Sequence, residues 1–257
     1  MQPMQLTFMA LLLAHLLSDF LLQPQWIFHN KAKRIWPLIC HGLIHYGLAW
    51  ACLLFFAPAT WQSIFSQIII LGYVAVHLII DRLKHRLIAG KPSRDNWRVF
   101  LSDQALHILA LTIATAILTQ SSATEIIHFL QPSQSDKTHL LEAAIIYIAV
   151  VFGGGYLIRY LTKGLQIRAH TAAPEMLKNA GLYVGWLERF MMITAIAMQS
   201  PALVGLILTG KSIARFPEFK EPRFAEYFLI GTLLSISLSV VGGLVLLQLL
   251  YGTVSLK

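Results

Sequence analysis

Seven stretches of predominantly apolar residues dominate this sequence: Leu6–Leu22, Trp36–Phe56, Ile64–Leu83, Val99–Leu118, Leu140–Leu161, Leu182–Leu208 and Phe228–Tyr251. Each approaches or exceeds the roughly 20 residues that a helix needs to cross the hydrocarbon core of a bilayer. Inside that core no water satisfies the backbone, so a spanning segment must pair its own N–H and C=O groups, which an α-helix does. No strand alternation, sustained heptad or low-complexity tract competes with this reading. The expected fold class is all-α, a polytopic membrane helical bundle of about seven or eight spans.

Composition agrees. Charged residues make up 12% of the chain and mean hydropathy is +0.65. That charge fraction is about half of an average soluble domain's, too little to cover a globule's apolar surface. It excludes a soluble enzyme, a disordered chain and a secreted disulfide scaffold. Cys40 and Cys52 are twelve apart in one apolar stretch, about 18 Å along a helix, too far to bridge. Met1–Met9 lacks Lys and Arg, so the first stretch reads as a span and not as a cleavable signal. A net charge of +8 is explained by basic cytoplasmic loops, and no nucleic-acid partner is expected.

Those loops set an expected orientation. Asn30–Arg34 and Arg82–Arg98 are rich in Lys and Arg, whereas Ala57–Ser63 has no charge and Gln120–Thr138 carries only Lys137 against two acids. The alternation predicts a multi-pass protein of the bacterial inner membrane with an extracytoplasmic N-terminus. Three regions follow: a four-helix membrane core over 1–119 with inward His/Asp pairs, an extracytoplasmic loop over 120–138, and C-terminal membrane helices over 139–257. Two basic loops, Arg159–Lys178 and Lys211–Arg223, flank the stretch at 182–215. If both are cytoplasmic the chain must enter and return, and Gln199-Ser200-Pro201 suits the turn of a re-entrant hairpin. Trp26, Trp36, Trp61, Trp97 and Trp186 fall near stretch ends, as an aromatic belt would.

The chemistry lies in the first four stretches. His15/Asp19, His41/His45, His77/Asp81 and Asp103/His107 are each spaced by four, which places two side chains on one helix face, one turn apart. Random placement of the chain's His and Asp predicts about one such pair; five occur, counting Asp81/His85. On the expected topology all four pairs lie at the cytoplasmic ends of their spans, so antiparallel neighbours bring them to one layer. An ionised Asp inside a span is costly unless paired or hydrated, and a cation or imidazole donors would offset that. Facing His and carboxylate pairs in a four-helix bundle are a way to build a metal core. The donor set suits Zn, Fe or Mn, as one or two ions. Candidate ligands are His15, Asp19, His41, His45, His77, Asp81, Asp103 and His107; Asp19, Asp81 and Asp103 are also candidate catalytic bases. Interhelical His–Asp hydrogen bonding without metal is the structural alternative, and haem a weaker one because Asp is an unusual companion for it.

The segments HLLSDFLLQ with the following HNK, HGLIH, HLIIDRLK and DQALH resemble the core of a family of bacterial inner-membrane proteins called domain of unknown function 3307. GWLERF, KSIARF and AEYFLIGTLLS resemble a C-terminal extension found in some of its members. More distantly, the His/Asp motifs are similar to membrane-bound proteins described as metal-dependent hydrolases. That resemblance implies hydrolysis at the four pairs. A metal there would activate water and polarise a phosphoryl or acyl group, and a site at headgroup depth makes a membrane lipid the expected substrate and the bilayer the expected partner. The rival expectations are an ion or proton transporter using the same residues, and a non-catalytic assembly or signalling protein with a structural polar core.

Gly205–Ser212 matches the P-loop pattern but sits in an apolar helical stretch with no preceding strand, so nucleotide binding is not expected. Glu188, Arg189, Lys211, Arg215 and Glu226 are expected to form a salt-bridge cluster that pins the hairpin to the bundle; binding a phosphate headgroup or completing the site is the functional alternative. Gln23 and Gln104 are candidate donors to the Asp ligands. Gly153–Gly155 and Gly242/Gly243 are expected to permit close helix packing. His128, His139 and His170 are expected in solvated loops.

Overall fold

A computed structural model of the chain describes residues 3–31, 33–60, 62–121, 136–169, 180–200 and 202–252. The described residues contain no strand. Ten α-helices run in order: α1 (Pro3–Leu16), α2 (Gln25–Asn30), α3 (Ile35–Phe56), α4 (Ile64–Ile88), α5 (Trp97–Thr119), α6 (Asp136–Ile148), α7 (Gly154–Ala169), α8 (Ala180–Ala197), α9 (Ala202–Ala214) and α10 (Pro222–Tyr251). Two π-helical turns, Leu17–Leu21 and Ala149–Gly153, extend α1 and join α6 to α7. Among the described residues six segments are long and apolar enough to cross a membrane: Met4–Leu21, Ile35–Phe56, Ile64–Ile88, Trp97–Thr119, Thr138–Lys163 and Pro222–Tyr251. The apolar stretch at 182–208 is divided between α8 and α9. Gln199 adopts φ +55° there, and Ser200 N–H donates to Ala195 O at 2.8 Å, closing α8 with a left-handed turn. His128, His170, Trp61 and most of the 120–138 segment lie outside the described residues. His139 is on α6 and not in a loop, 3.5 Å from Glu142.

The chain divides into two compact units, Met1–Ile145 and Ile146–Lys257. In the first, α1 packs against α3 and α5, and α4 packs against α3 and α5. The four helices thus close a ring in the order α1, α3, α4, α5. Local chemistry sets the helix starts. Ser63 Oγ accepts from Ser66 N–H at 3.0 Å and begins α4; Asn96 Oδ1 accepts from Arg98 and Val99 N–H at 3.0 and 3.2 Å and begins α5, satisfying amide donors that the helix itself leaves open. Within HGLIH, Gly42 lets α3 approach α4: a Cβ there would meet Leu78 Cδ1 at 2.9 Å. That close passage brings the two histidines of α3 onto His77 and Asp81 of α4.

The outward faces of these helices stay apolar and exposed, including Trp36 at 70% and Ile64 at 81%. Exposed leucine, isoleucine and tryptophan at this density fit a hydrocarbon solvent and not water.

In the second unit α10 packs against α7 and α8, and α8 against α9. Two glycines bring α10 close to its neighbours, Gly242 to the π turn at Ala149–Gly153 and Gly243 to α8. A Cβ on Gly242 would lie 2.8 Å from Val150 Cγ2, and one on Gly243 would lie 2.8 Å from Ile196 Cβ, the role expected of small residues between membrane helices. Lys211 Nζ on α9 pairs with Glu188 Oε2 on α8 at 2.5 Å, while Arg215 pairs with Glu218 at 2.8 Å. Gly205–Ser212 is helical throughout, so it forms no phosphate-binding loop.

Candidate metal centre

All eight sequence-predicted side chains meet inside the ring. His41, His77 and His107 are fully buried, His15 and His45 are 1% exposed, and Asp81 and Asp103 are 4% and 5% exposed. Asp19 is supplied by the π turn that follows α1. Its carboxylate is the first hub. Oδ1 lies 3.0 Å from His45 Nε2, 3.3 Å from His41 Nε2 and 3.5 Å from His77 Nε2, while Oδ2 lies 3.7 Å from His15 Nε2. The wider π turn changes the phase of Asp19 relative to a regular helix, and such turns often occur at functional sites.

Asp81 is the second hub. Its Oδ2 is 3.4 Å from His41 Nε2 and 3.9 Å from His77 Nε2, and its Oδ1 is 3.8 Å from His107 Nε2. Asp103 Oδ1 lies 3.5 Å from the same His107 Nε2. The imidazoles also approach one another: His41 and His77 Nε2 atoms are 3.2 Å apart, and the His45–His77 and His77–His107 ring centroids are 3.8 and 4.1 Å apart.

Three groups of side chains have ligand atoms all within 4.8 Å of one another and can hold a metal ion: His15, Asp19, His45 and His77; His41, His77 and Asp81; and Asp81, Asp103 and His107. His77 belongs to the first two and Asp81 to the last two. His85, the remaining partner at spacing four, belongs to none.

The donor set fits a cation on three grounds. First, ligands about 2.0–2.1 Å from a tetrahedral ion stand about 3.3–3.4 Å from one another, and the atoms around Asp19 Oδ1 are 3.0–3.5 Å away. Second, His15 Nδ1, His77 Nδ1 and His107 Nδ1 are buried without a hydrogen-bond partner, and His15 Nε2, His107 Nε2 and Asp103 Oδ1 have only the ion-pair contacts of 3.5–3.8 Å given above. A network built only for hydrogen bonding would satisfy such atoms. Third, with neutral imidazoles the three carboxylates outweigh the two ammonium groups described next, leaving the cluster net negative.

Lys31 and Lys84 are the residues sequence reasoning missed. Lys31 Nζ lies 2.5 Å from Asp81 Oδ2 and 3.4 Å from His41 Nε2; Lys84 Nζ lies 2.7 Å from Asp103 Oδ2. Both read as loop charges in the sequence. Lys84 carried a usable signal, since it sits three residues after Asp81 on the same helix face. Lys31 ends the quoted HNK segment, but its place beside Asp81 depends on the short α2 that follows Pro24 and cannot be read from spacing. The two glutamines divide: Gln104 Nε2 donates to Asp103 Oδ2 at 3.2 Å, whereas Gln23 Nε2 lies 3.2 Å from His41 Nδ1 and so meets an imidazole and not a carboxylate.

No curated protein and no solved structure matches this chain. One family model does match, over residues 7–133, and that family is described as "Protein of unknown function (DUF3307)". The match ends before the GWLERF and KSIARF segments and contains every residue of the His/Asp cluster. It supports placing the ring of helices and its buried centre in the DUF3307 family.

Proposed function

We propose that the protein is an integral inner-membrane metalloprotein whose His/Asp cluster hydrolyses a phosphoryl or acyl ester of a membrane lipid near the cytoplasmic leaflet. The observation that carries this reading is the convergence of three carboxylates and five imidazoles, with six buried polar atoms on four of these side chains outside hydrogen-bonding geometry. A bound Zn, Fe or Mn ion would supply Lewis acidity and an activated water. His15, Asp19, His45 and His77 would hold one ion; Asp81, shared between the other two groups, would orient a second beside Asp103 and His107. Asp19, Asp81 and Asp103 are the bases available to take a proton from water. His41, within 4 Å of two carboxylates and outside both of these ligand sets, is placed to carry that proton onward. Lys31 and Lys84 stand beside the carboxylates, where an ammonium can attract an anionic ester.

Metal analysis of the purified full chain tests the reading, paired with release of headgroup or fatty acid from mixed phospholipids. Wild type should hold Zn, Fe or Mn near stoichiometry and turn over at least one lipid class, and the His77→Ala/Asp81→Ala double variant should lose both. Equal metal content in the two proteins would remove the cluster as the site.

One observation favours a transport reading as the second. Gln5, Thr7, Ser66 and Thr115 are buried at the opposite end of the same ring, so buried polar groups are not confined to the cluster. Proton or metal-ion uptake by proteoliposomes, abolished by Asp19→Asn without any lipid turnover, would favour transport.

A further inference from the structure

A second buried cation lies outside the His/Asp centre. In the C-terminal unit Arg189 is 4% exposed. Its Nε and Nη2 donate to the Val151 carbonyl at 3.0 and 2.7 Å, and its Nη1 meets Ser235 Oγ at 3.5 Å. Guanidinium has five N–H donors, so two find no acceptor among the described residues. No carboxylate among those residues pairs with it either: the adjacent Glu188 turns to Lys211. Glu188 thus offsets the buried charge from a distance without filling its donors, and a buried charge so weakly compensated is unfavourable.

Beside it, Trp186 Nε1 is buried and has no acceptor. The indole is held in place by edge contacts with Phe152 at 4.8 Å and Tyr183 at 5.2 Å. Gly155 locates the two donors relative to each other: the point its Cβ would occupy is 2.6 Å from Arg189 Nη2 and 3.5 Å from Trp186 Nε1. Gly185 keeps the other edge of the guanidinium clear, since a Cβ there would be 3.2 Å from Nη1. One positive charge, an unpaired indole N–H and two glycines therefore gather at one place, and every unused polar atom in it is a donor. Depth narrows the ligand. Lys211, which grips Glu188, begins the basic Lys211–Arg223 segment, so Arg189 sits at the level where that segment would meet headgroups.

We infer that Arg189 and Trp186 form an oxyanion site for a phosphate group, carried by an anionic phospholipid or by free phosphate. The fork of Arg suits two oxygens of one phosphate, and the indole N–H reaches a further oxygen. This reading is independent of metal binding in the N-terminal unit.

The test uses the full chain in mild detergent with three probes: dioleoylphosphatidylglycerol, inorganic phosphate and phosphate-free dioleoylglycerol. Thermal shift titrations and native mass spectrometry report binding. Wild type should be stabilised by one or both phosphate probes and not by dioleoylglycerol. A response to the phospholipid alone identifies a lipid site; a response to inorganic phosphate identifies a free-anion site. Trp186→Phe keeps the ring packing and removes only the donor, so it should fold normally and weaken binding about tenfold, the effect of one hydrogen bond to a charged group. Arg189→Gln should abolish the response. If Trp186→Phe matches wild type, if dioleoylglycerol acts as well as the phospholipid, or if neither phosphate probe binds, the inference is overturned and Arg189 serves only to brace the Val151 carbonyl.

Discussion

Replacing Lys31 by Met separates a metal centre from a permanently hydrogen-bonded cluster. The Lys31 and Asp81 side chains are 6% and 5% exposed and 2.5 Å apart. Removing one partner of a buried pair costs about 3–5 kcal/mol, because the remaining charge is left uncompensated. Met keeps most of the stem length, so little of that loss is packing. A divalent ion on Asp81 supplies the charge the ammonium had supplied. Metal affinity should therefore rise in the variant, since no tethered cation competes for Oδ2. Both proteins are stabilised by bound metal, so at one metal concentration the gap narrows by about 1.4 kcal/mol for each tenfold by which the variant binds more tightly, and closing all of it takes a gain of about a hundred- to several-thousandfold. The variant in chelator should melt far below wild type, and the gap should narrow on adding the right metal. The assay is thermal unfolding in detergent, with chelator and then with Zn, Fe(II) or Mn. A gap of the same size in chelator and in all three metals would refute the reasoning and leave Lys31 as the standing counter-charge of Asp81.

Asp81→Asn keeps size and an acceptor oxygen but removes charge and leaves the His15, Asp19, His45 and His77 group intact, so its melting temperature should fall less in chelator than the wild type's; equal falls in both would contradict a ligand role. Gly243→Val should destabilise the C-terminal unit by about 1–3 kcal/mol, the usual cost of overpacking, because even a Cβ would press on Ile196 at 2.8 Å. Gly231→Ala, with nothing within 4 Å of the added Cβ, should be neutral or stabilising by up to about 1 kcal/mol through helix propensity, and both are read from melting curves. Single cysteines placed at Lys33 or Lys91, in a background without Cys40 and Cys52, should be labelled from the cytoplasmic side; labelling from the periplasm would invert the orientation and move the centre to the other leaflet.

Much of the N-terminal unit was legible because it is encoded locally. Apolar length marks a span whatever surrounds it, and a spacing of four puts His77 and Asp81 on one face of any helix that contains them. The C-terminal third was less legible. A continuous apolar run at 182–208 gives no period from which a break can be read, and only Gln199-Ser200-Pro201 marked it. The division into α8 and α9 rests on the left-handed turn at Gln199.

The sequence by itself determined the helical class, the apolar exterior and the eight residues of the cluster. These follow from composition and helical period, which a single segment carries without its neighbours. Tertiary structure alone decided which atoms meet. It made Asp19 and Asp81 the hubs, set the approach of α3 to α4 through Gly42, and turned Lys31 and Lys84 from apparent loop charges into partners of buried carboxylates. It also left Arg189 buried without a carboxylate. The physical reason is that a charge in low dielectric is defined by what lies within a few ångströms of it, and for these side chains that neighbourhood is assembled from helices far apart along the chain.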